Sequence, residues 1–578
     1  MKPIRKTYLA LGLLATTTLC LTSCEDTLTE NPDSYYTRED FFVNAQNAEM
    51  AITGIYSMLV SIYDQIDGQS SAASDDMLYP AGGYVTDNAR RDMGHYTLTT
   101  SNKTLETLWN NKYEQLNRAN YCIQNIEAMK GYSKSKDLQR LVGEAKFLRA
   151  LAAFDLARYW GDVPFKTYYS DSYEAAYQPR TNREEIYDQV LQDLNDAKEV
   201  LLWADASTSP EKITQGSARA LLMRVLLTRA GYSLQMDGTQ TRPADNKRKE
   251  YFKAIICEWE AFEENGYHGF YNGGYEALFR GFSEGVLNSH ESLFEVAFCY
   301  PYNKGTWGTY MGPYVAAPNV PMSEAGKYMG RANASFRAVP EWRGFYETET
   351  IEETGKDGKP VKKEILRDQR RDVSICTYQY IWDNTTMSHI KQEDTRGRNW
   401  YPGKWRREWT PSGSTKDFNT TDINYCLLRY ADVVLMAAEA YNETGDTPRA
   451  WELLNRVRKR AGATQVTTLA KYREVQPKLY DLPYFNSGNE QDNFRTALYW
   501  ERGLELAFEG QRKYDLIRWG VMEQALKCFG ENTAANSGTN PAYIAPIYFQ
   551  SGKHELFPIP LDEMQVNYKL EGKNNPGY

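Results

Sequence analysis

Residues 143–165 have the sequence GEAKFLRALAAFDLARYWGDVPF, which carries a helical pattern. Apolar side chains recur at the spacing of one helix face along this stretch and the turn before it, at Leu138, Leu141, Val142, Ala145, Leu148 and Ala152. Gly161 and Pro164 then supply stop signals, because glycine tolerates the backbone conformation that ends a helix and proline cannot continue one. The stretch therefore predicts an amphipathic helix that ends near Gly161.

The same period recurs elsewhere in the chain. One further stripe consists of Ile186, Val190, Leu194, Ala197 and Leu201. It follows Thr181-Asn182-Arg183-Glu184, which matches a capping box in which Thr181 and Glu184 satisfy each other's backbone donors. Residues 427–444 predict another helix, and Thr447, as N-cap before Pro448, predicts one that ends at Gly462. Helices joined by short turns predict a mostly α fold built from tetratricopeptide-like helical hairpins.

Between residues 265 and 425 the helical period is replaced by Gly, Pro, Asn and aromatic residues. Residues 291–300 alternate loosely and predict a strand. Asp357-Gly358, between two polar runs, predicts an exposed β-hairpin turn. A long irregular segment in a compact protein is usually functional or disordered, and the aromatic content argues against disorder.

The N-terminus has the pattern of an export signal. Lys2, Arg5 and Lys6 precede a short apolar stretch at residues 8–21, which is too short to span a bilayer. Leu21-Thr22-Ser23-Cys24 resembles the lipobox of bacterial lipoproteins, so we expect cleavage before Cys24 and lipid on its thiol. An ordinary signal peptide with an incidental cysteine is the alternative. No later segment is apolar enough to span a membrane, so lipid is the only membrane attachment that we expect.

Charge and cysteine content exclude several classes of protein. Cleavage before Cys24 would move the formal net charge from −9 to −12, and so acidic a chain lacks the basic footprint that nucleic-acid binding needs. Six cysteines besides Cys20 and Cys24 remain: Cys122, Cys257, Cys299, Cys376, Cys426 and Cys528. They form no C-x-x-C pair, so we expect mostly buried thiols, with one or two disulfides left open.

Four stretches resemble the SusD/RagB family of outer-membrane nutrient-binding lipoproteins. They are residues 143–165, quoted above; residues 428–443, LRYADVVLMAAEAYNE, continued at 453–462 by LLNRVRKRAG; residues 501–520, ERGLELAFEGQRKYDLIRWG; and the terminus, LFPIP at 556–560 with NPGY at 575–578. Their order and spacing extend the resemblance over essentially the whole mature chain.

The resemblance implies a fold, a location and a partner. It implies a helical scaffold with long aromatic-rich loops, minor β-hairpins and one ligand-binding face. It also implies a lid on a SusC-like TonB-dependent transporter that captures oligosaccharides, or peptides in some branches. Glu25 and Asp26 resemble a surface-export signal, so we expect the protein in the outer membrane, facing the exterior. The acidic charge of the mature chain favours a neutral glycan. We expect no cofactor and assign no metal ligand, and bound calcium is left open.

The expected organisation has five parts. They are a signal peptide (1–23), a lipidated flexible leader (24–36), an N-terminal tetratricopeptide-like part (37–264), a loop-rich ligand-binding part (265–425) and a C-terminal helical part with the family's terminal motif (426–578).

The family motifs themselves look structural. Glu501, Glu505 and Glu509 lie four residues apart, so like charges share one helix face and need cations. Arg502, Arg512 and Arg518 are the nearest supply in sequence, which predicts a partly buried Arg/Glu network. Two further charged residues that we expect in similar pairs are Arg149 and Asp155.

Candidate ligand contacts lie off the helices. Aromatic rings bind the C–H faces of sugars, and polar side chains orient the hydroxyl groups. One candidate set, in the loop after the first helix, is Asp75, Asp76, Tyr79, Tyr84, Asn88 and Arg90. The other is Tyr271, Tyr300, Tyr302, Trp307, Tyr310, Tyr314, Asn319, Tyr328 and Trp342. Replacing Trp307 and Tyr310 by alanine is expected to weaken glycan binding without loss of the fold.

Catalysis has weaker support in the sequence. Gly281-Phe-Ser283-Glu-Gly285 matches the nucleophile-elbow pattern but lacks a convincing strand before it. No histidine metal motif and no phosphate or dinucleotide fingerprint is present. A surface glycosidase needs only two suitably spaced carboxylates and remains the alternative, as do peptide binding and a purely structural lipoprotein. We expect a binding protein and not an enzyme.

Overall fold

The computed structural model describes residues 41–64, 74–80, 89–354, 359–411, 419–530, 533 and 543–578. The expected lipidation site at Cys24, the leader, Tyr84 and Asn88 lie outside these residues. No helix in the described ranges is long and apolar enough to cross a membrane.

Helices dominate both ends of the chain. The N-terminal helices are α1 (Ala45–Tyr63), α2 (Ala89–His95), α3 (Lys103–Glu127), α4 (Lys136–Trp160), α5 (Tyr173–Ala176), α6 (Arg183–Val200), α7 (Gln215–Arg229) and α8 (Asp245–Asn265). The loop-rich part contains α9 (Gly274–Glu284) and two shorter helices, α10 (Trp342–Phe345) and α11 (Arg371–Ser374). The C-terminal helices are α12 (Tyr430–Thr444), α13 (Thr447–Arg460), α14 (Leu469–Val475), α15 (Glu490–Glu505), α16 (Arg512–Arg518), α17 (Met522–Gly530), α18 (Ala545–Tyr548) and α19 (Leu561–Val566).

Successive long helices pack against one another. Helix α4 packs on α3 and α6, α7 packs on α6 and α8, and α12 packs on α8, α13 and α15. This stacking confirms the expected mostly α scaffold of tetratricopeptide-like hairpins.

Helix α4 shows why the sequence at residues 143–165 folds as it does. The Ser135 side chain caps its start by accepting from the Leu138 N–H at 3.3 Å, and Gly161 ends it with φ of 74°. Its small alanines let neighbouring helices approach closely, so nearly the whole helix after its first turn is buried. The predicted helix and its end are confirmed.

Three predicted helix boundaries are wrong by a few residues. Asn182, and not Thr181, caps α6, because Thr181 is the last residue of a short strand. Asp446 caps α13, which places Thr447 inside the helix. The apolar start of residues 427–444 is a buried strand up to Arg429, because β-sheet pairing with an upstream strand competes with the helix there.

The strands form small two-stranded sheets. In chain order they are β1 (Met77–Leu78), β2 (Val163–Pro164), β3 (Arg180–Thr181), β4 (Ser233–Leu234), β5 (Gln240–Thr241), β6 (Ser292–Val296), β7 (Arg337–Ala338), β8 (Thr348–Thr354), β9 (Pro360–Leu366), β10 (Ile375–Cys376), β11 (Tyr378–Asp383), β12 (Ser388–Glu393), β13 (Tyr401–Pro402) and β14 (Tyr425–Arg429). The pairs are β1–β7, β2–β3, β4–β5, β6–β14, β8–β9, β10–β13 and β11–β12, all antiparallel.

Two of these sheets bear on the predictions. Strand β6 confirms the strand expected at residues 291–300, and its pairing with β14 joins the loop-rich part to the C-terminal helices. Strands β8 and β9 form the exposed polar hairpin expected around Asp357-Gly358. The turn itself lies outside the described residues.

The acidic face of α15 is buried and neutralised from outside its own helix. Arg370 reaches Glu501 at 2.7 Å and Glu505 at 3.2 Å. Glu509 lies beyond the end of α15 at Glu505, so the expectation that it shares the helix face of Glu501 and Glu505 is wrong. Arg429 nevertheless reaches both Glu505 and Glu509, each at 2.6 Å. Burial alone would raise the pKa of Glu505, but the surrounding guanidinium groups outweigh it and hold that pKa well below its usual range. The expected buried Arg/Glu network is present and clamps α15 to the loop-rich part.

The source of the cations differs from the prediction. Arg502, Arg512 and Arg518 do not pair with this face, because they lie on other sides of their helices. Arg502 binds Asp515 at 2.8 Å, and Arg518 binds Glu439. Sequence proximity gave the wrong partners, since the true cations come from segments more than 40 residues away.

The two further charged residues also form buried ion pairs. Arg149 donates to both carboxylate oxygens of Asp193, at 2.7 and 2.6 Å. Asp155 accepts from Lys112 and lies 2.8 Å from an Arg158 nitrogen. Each pair joins different helices, or different turns of one helix, inside the N-terminal scaffold.

Cys122, Cys257, Cys299, Cys376 and Cys426 are free thiols. Cys122, Cys376 and Cys426 are buried, as expected, whereas Cys257 and Cys299 are exposed. Burial raises the pKa of the Cys122 thiol to about 12, so it behaves as a small apolar side chain.

Candidate functional site

The loop-rich part holds its most ordered surface around the β11–β12 hairpin. The two strands pair along their whole length. The segment at Val315 lies beside β11 through an isolated parallel bridge: the Tyr380 N–H donates to the Tyr314 carbonyl, and the Ala316 N–H donates to the Tyr380 carbonyl, both at 2.9 Å. Backbone hydrogen bonds therefore fix the side chains of this hairpin.

One face of the hairpin carries three aromatic side chains. Tyr378, Tyr380 and Trp382 occupy alternate positions of β11 and so project from the same side. The residues directly opposite them on β12 are Glu393, Lys391 and His389. All three rings are half-buried, which leaves part of each open to solvent.

Two rings hold Trp382 in place. The ring centroid of Tyr328 lies 5.0 Å from that of Trp382 at an interplanar angle of 85°, and His389 lies 5.0 Å away at 75°. His389 Nε2 is 2.8 Å from the Ala316 carbonyl oxygen, to which it donates. Burial lowers the pKa of His389, so the imidazole is neutral at pH 7. The indole is thus positioned in advance, by edge contacts that leave it partly exposed.

Two polar atoms buried beneath this face have no hydrogen-bond partner among the residues that the structure describes. They are Trp382 Nε1 and Glu408 Oε2. The other Glu408 oxygen accepts from the Tyr378 hydroxyl, and Arg406 Nη1 donates to the same phenol oxygen at 2.8 Å. Enclosed polar atoms without partners cost free energy.

We call the surface formed by Tyr328, Tyr378, Tyr380, Trp382, His389 and Glu408 the hairpin face. At its edge Asn319 Nδ2 donates to Asn384 Oδ1 at 3.0 Å, which ties the segment after Val315 to the turn of the hairpin. Such a surface suits a sugar, because the aromatic rings can contact its C–H faces and the neighbouring amide and carboxylate groups can bind its hydroxyl groups.

The structure brings three of the predicted residues to this surface. Tyr328 is part of it, Asn319 lies at its edge, and Tyr314 lies in the segment that is hydrogen-bonded to β11. The Tyr314 ring packs against the small buried cluster of Ala334, Cys376 and Tyr401, so only part of it faces solvent.

A second group of predicted residues lies on the loop at residues 299–311. Tyr302 is 85% exposed. The Lys304 ammonium lies 5.4 Å from the centroid of the half-buried Tyr300 ring. The Arg90 guanidinium carbon lies 4.4 Å from the Tyr310 ring centroid, so these two predicted residues contact each other.

Trp307 was expected to present its ring to a ligand, and its position contradicts this. The side chain is fully buried, stacked on Tyr425 with centroids 4.3 Å apart at 9° and packed against Trp405 at 4.6 Å. Its indole N–H donates to the Tyr63 carbonyl at 3.2 Å. Trp307 therefore fastens the loop to the core, which the irregular sequence around it could not indicate.

Four more predicted residues are also buried. Trp342 is 1% exposed and stacks on Phe529. Asp75 and Asp76 are 0% and 1% exposed, because Asp75 pairs with a buried arginine and Asp76 accepts from the Phe508 N–H at 3.2 Å. Tyr79 is buried, in edge contact with Phe336 at 4.8 Å. The expectation that these four side chains face a ligand is contradicted by their burial.

Tyr271 lies apart from both exposed groups. It is half-buried after α8, and its N–H donates to Glu291 at 2.7 Å. Nothing in its surroundings joins it to the hairpin face.

Residues 378–382 were missed by the sequence analysis although they carried a signal. Tyr378, Tyr380 and Trp382 alternate with period two, which is the pattern of a strand with one aromatic face. Glu408 had no comparable signal, because its place beside Tyr378 depends on the tertiary fold.

The nucleophile-elbow pattern lies inside helix α9. Ser283 is buried in the last turn of this helix, and Gly285 caps its end with φ of 74°. A nucleophile elbow requires a strand before the serine, so this serine lacks the geometry of an esterase nucleophile.

Comparison with known proteins identifies the family. A family model described as "SusD family" matches residues 290–578, and one described as "Starch-binding associating with outer membrane" matches residues 27–227. The chain is 27% identical to SusD-like protein P25 of Formosa agariphila, over 96% of this chain and 97% of that protein.

Two solved structures show the same fold. A SusD homolog from Bacteroides thetaiotaomicron VPI-5482 matches with a TM-score of 0.73 and 25% identity, over 94% of this chain and 98% of that one. A laminarin-binding SusD-like protein matches with a TM-score of 0.60 and 21% identity, over 93% of this chain and all of that one (100%).

In this chain, stacked helical hairpins support the loop-rich part that carries the hairpin face. The chain belongs to the SusD family, whose model covers its C-terminal half. The resemblance seen in the sequence motifs is confirmed.

Proposed function

We propose that this protein binds oligosaccharides through the hairpin face and passes them to a SusC-like TonB-dependent transporter in the outer membrane. The observation that carries the proposal is the half-buried indole ring of Trp382, which Tyr328 and His389 hold in a fixed position. Sugars need both a flat apolar surface and hydrogen-bonding groups, and this face has both.

The relatives support the class of ligand. One matching family model is described as starch-binding, and one structural neighbour binds laminarin. We infer that the ligand is a glycan of the same neutral kind. Tyr300, Tyr302, Tyr310, Tyr314, Asn319 and Arg90 are proposed to extend the face toward longer chains.

The organisation proposed from the sequence fits this role. Residues 37–264 and 426–578 serve as the scaffold, and residues 265–425 carry the ligand face. Lipid on Cys24 would hold the protein in the outer membrane, and the leader at residues 24–36 would let it move as a lid over its transporter. The proposal assigns no catalytic step, and an assay for release of reducing ends from polysaccharides checks that part.

The test compares two variants in affinity electrophoresis with laminarin and with soluble starch. The double variant Tyr328→Ala/Trp382→Ala is expected to lose the retardation that the wild-type protein shows, because both ring surfaces are removed. The variant Tyr548→Ala, which removes a 39% exposed ring on α18, serves as the matched control and should run like wild type. Unchanged retardation of the double variant would place glycan binding elsewhere. A peptide panel run in parallel tests the peptide-binding alternative.

A further inference from the structure

A second concave surface lies on the N-terminal scaffold. It is a groove of about 430 Å³ between helix α3, the segment at residues 164–178 and helix α19. Its volume falls within the range of small-molecule sites, roughly 300–1,000 Å³. The groove shares no residue with the hairpin face, so it would act as a separate site.

The inner wall of the groove is aromatic and rigid. Trp109 and Tyr113 lie 4.7 Å apart between ring centroids, and Trp109 meets Trp160 edge-on at 5.0 Å. The Tyr113 hydroxyl donates to the Pro164 carbonyl at 2.7 Å. These contacts fix the rings before any ligand arrives, which reduces the entropy lost on binding.

The segment opposite this wall is also held in place. Asn117 accepts from the Ser170 N–H at 2.9 Å, and Asn120 donates to the Lys166 carbonyl at 3.1 Å. Two buried or half-buried amides of α3 thus hold the backbone of residues 166–170. The groove therefore has two fixed walls.

Exposed aromatic rings stand at the rim. Tyr173, on the single-turn helix α5, is 81% exposed. Tyr177 lines the groove and meets Tyr568, which is 72% exposed, edge-on at 6.1 Å. Exposed aromatic rings grouped around a groove indicate a binding surface, because contiguous apolar surface that is exposed to water usually marks a ligand or partner site.

The polar groups of the groove suit a neutral ligand. The Lys166 ammonium is occupied by the Ala175 carbonyl at 2.5 Å, and Glu563 accepts from Asn567 at 2.8 Å. Burial raises the pKa of Glu563, which disfavours its charged form. The side chain of Asn110 on α3 makes no hydrogen bond within the described part of the chain. In the side-chain amide of Gln178, only the nitrogen is engaged, and it donates to the Ala175 carbonyl at 3.2 Å.

We propose that this groove is a second carbohydrate site, which holds one or two neutral sugar rings of the same glycan that the hairpin face binds. Sugar C–H faces would lie on Tyr113 and Tyr173, and hydroxyl groups would bind the side chain of Asn110 and Oε1 of Gln178. This inference rests on the proposed function, since it takes the same class of ligand.

The test uses laminarihexaose and maltohexaose as probes, with hydrogen exchange and calorimetry as readouts. The groove variant is Asn110→Ala/Tyr173→Ala, two exposed positions whose change should leave the fold intact, as a thermal melt checks. The hairpin variant is Tyr328→Ala/Trp382→Ala. We expect a hexasaccharide to slow amide exchange at residues 164–178 in the wild type and in the hairpin variant. In the groove variant this protection should require roughly tenfold more sugar, while the hairpin at residues 378–393 stays protected.

The outcomes separate the two ideas. Protection at residues 378–393 without any at 164–178, at saturating sugar, overturns the second site and leaves the proposed function standing. Protection at neither segment with either sugar overturns both. Protection at 164–178 that the groove variant does not weaken also overturns the inference, because the named side chains would not be responsible. An apolar peptide that protects the groove when neither hexasaccharide does would assign the groove to a protein partner and overturn the sugar site.

Discussion

Arg512 holds Asp75 across 437 residues of sequence through two hydrogen bonds, Nε to Oδ1 at 2.7 Å and Nη2 to Oδ2 at 2.8 Å. Both side chains are buried. The pair joins the loop after α1 to the C-terminal motif at residues 501–520, so Asp75, which was predicted to contact ligand, has a structural role.

Replacing Arg512 by leucine is expected to lower the free energy of unfolding by about 3–5 kcal/mol, because Asp75 would be left buried and unpaired. Urea denaturation followed by circular dichroism measures this. Lys527→Ala serves as the control: its ion pair with Glu523 is exposed, and such pairs contribute less than about 1 kcal/mol. Equal losses in both variants would contradict a special role for the buried pair.

Asp76 predicts a pH dependence of stability. Burial, with the neighbouring Asp75 charge, raises its pKa to about 6 from an ordinary 3.8. The folded state therefore binds the Asp76 proton more tightly than the unfolded state does. The stabilising contribution of the protonated form is complete below about pH 4 and is lost as the pH rises through 6.

The variant Asp76→Asn should remove this loss. Its stability relative to the wild type is expected to increase between pH 4 and pH 7 by about 2–3 kcal/mol at most, from the size of the pKa shift. Denaturation midpoints of both proteins at each pH give the difference, in which other titrating groups cancel. A difference that stays constant with pH would show that Asp76 ionises normally.

Gly503 on α15 allows the closest packing of Trp342. A β-carbon at position 503 would lie 2.3 Å from Trp342 Cη2. Gly503→Ala is therefore expected to destabilise the protein by about 1–3 kcal/mol through overpacking, although alanine is the better helix former. Gly54→Ala on α1 is the matched control, since no atom lies within 4 Å of its added β-carbon. The free energy of unfolding of that variant should rise by about 0.5–1 kcal/mol. Thermal melts of the two variants and the wild type measure these opposite changes.

The sequence indicated the scaffold well and the ligand face poorly, for a physical reason. Helix α4 follows from local periodicity and stop signals, which act over a few residues. The partners of Glu501 and the burial of Trp307 depend on contacts with distant segments, such as Arg370 and Tyr425. An aromatic residue in an irregular loop has the same local pattern whether it faces solvent or fastens the loop to the core. Only Tyr378, Tyr380 and Trp382 carried a local signal, because they lie in a regular strand.

Lipid attachment at Cys24 is tested apart from binding. Cys24→Ala should leave affinity for laminarin or starch unchanged, because the leader precedes the folded scaffold, and should abolish uptake of the glycan by cells. Growth on the glycan as sole carbon source and pull-down of the transporter measure this. Confirmation that the variant is not acylated is the required control, and normal growth of cells that carry it would contradict the proposal.

Alanine substitutions of Trp307 and Trp382 are expected to affect different properties, the stability of the fold and the affinity for glycan. Trp307→Ala is expected to cost about 3–5 kcal/mol of stability, because it removes a fully buried indole stacked on Tyr425. Trp382→Ala removes a half-buried ring at the edge of a hairpin, so most of its effect should fall on glycan affinity. Melting temperatures and affinity electrophoresis, measured on both variants, are expected to show opposite patterns. If Trp307→Ala kept its stability and lost binding instead, the ring would have to leave its place between Tyr425 and Trp405 when ligand binds, and the ligand face would extend into the core.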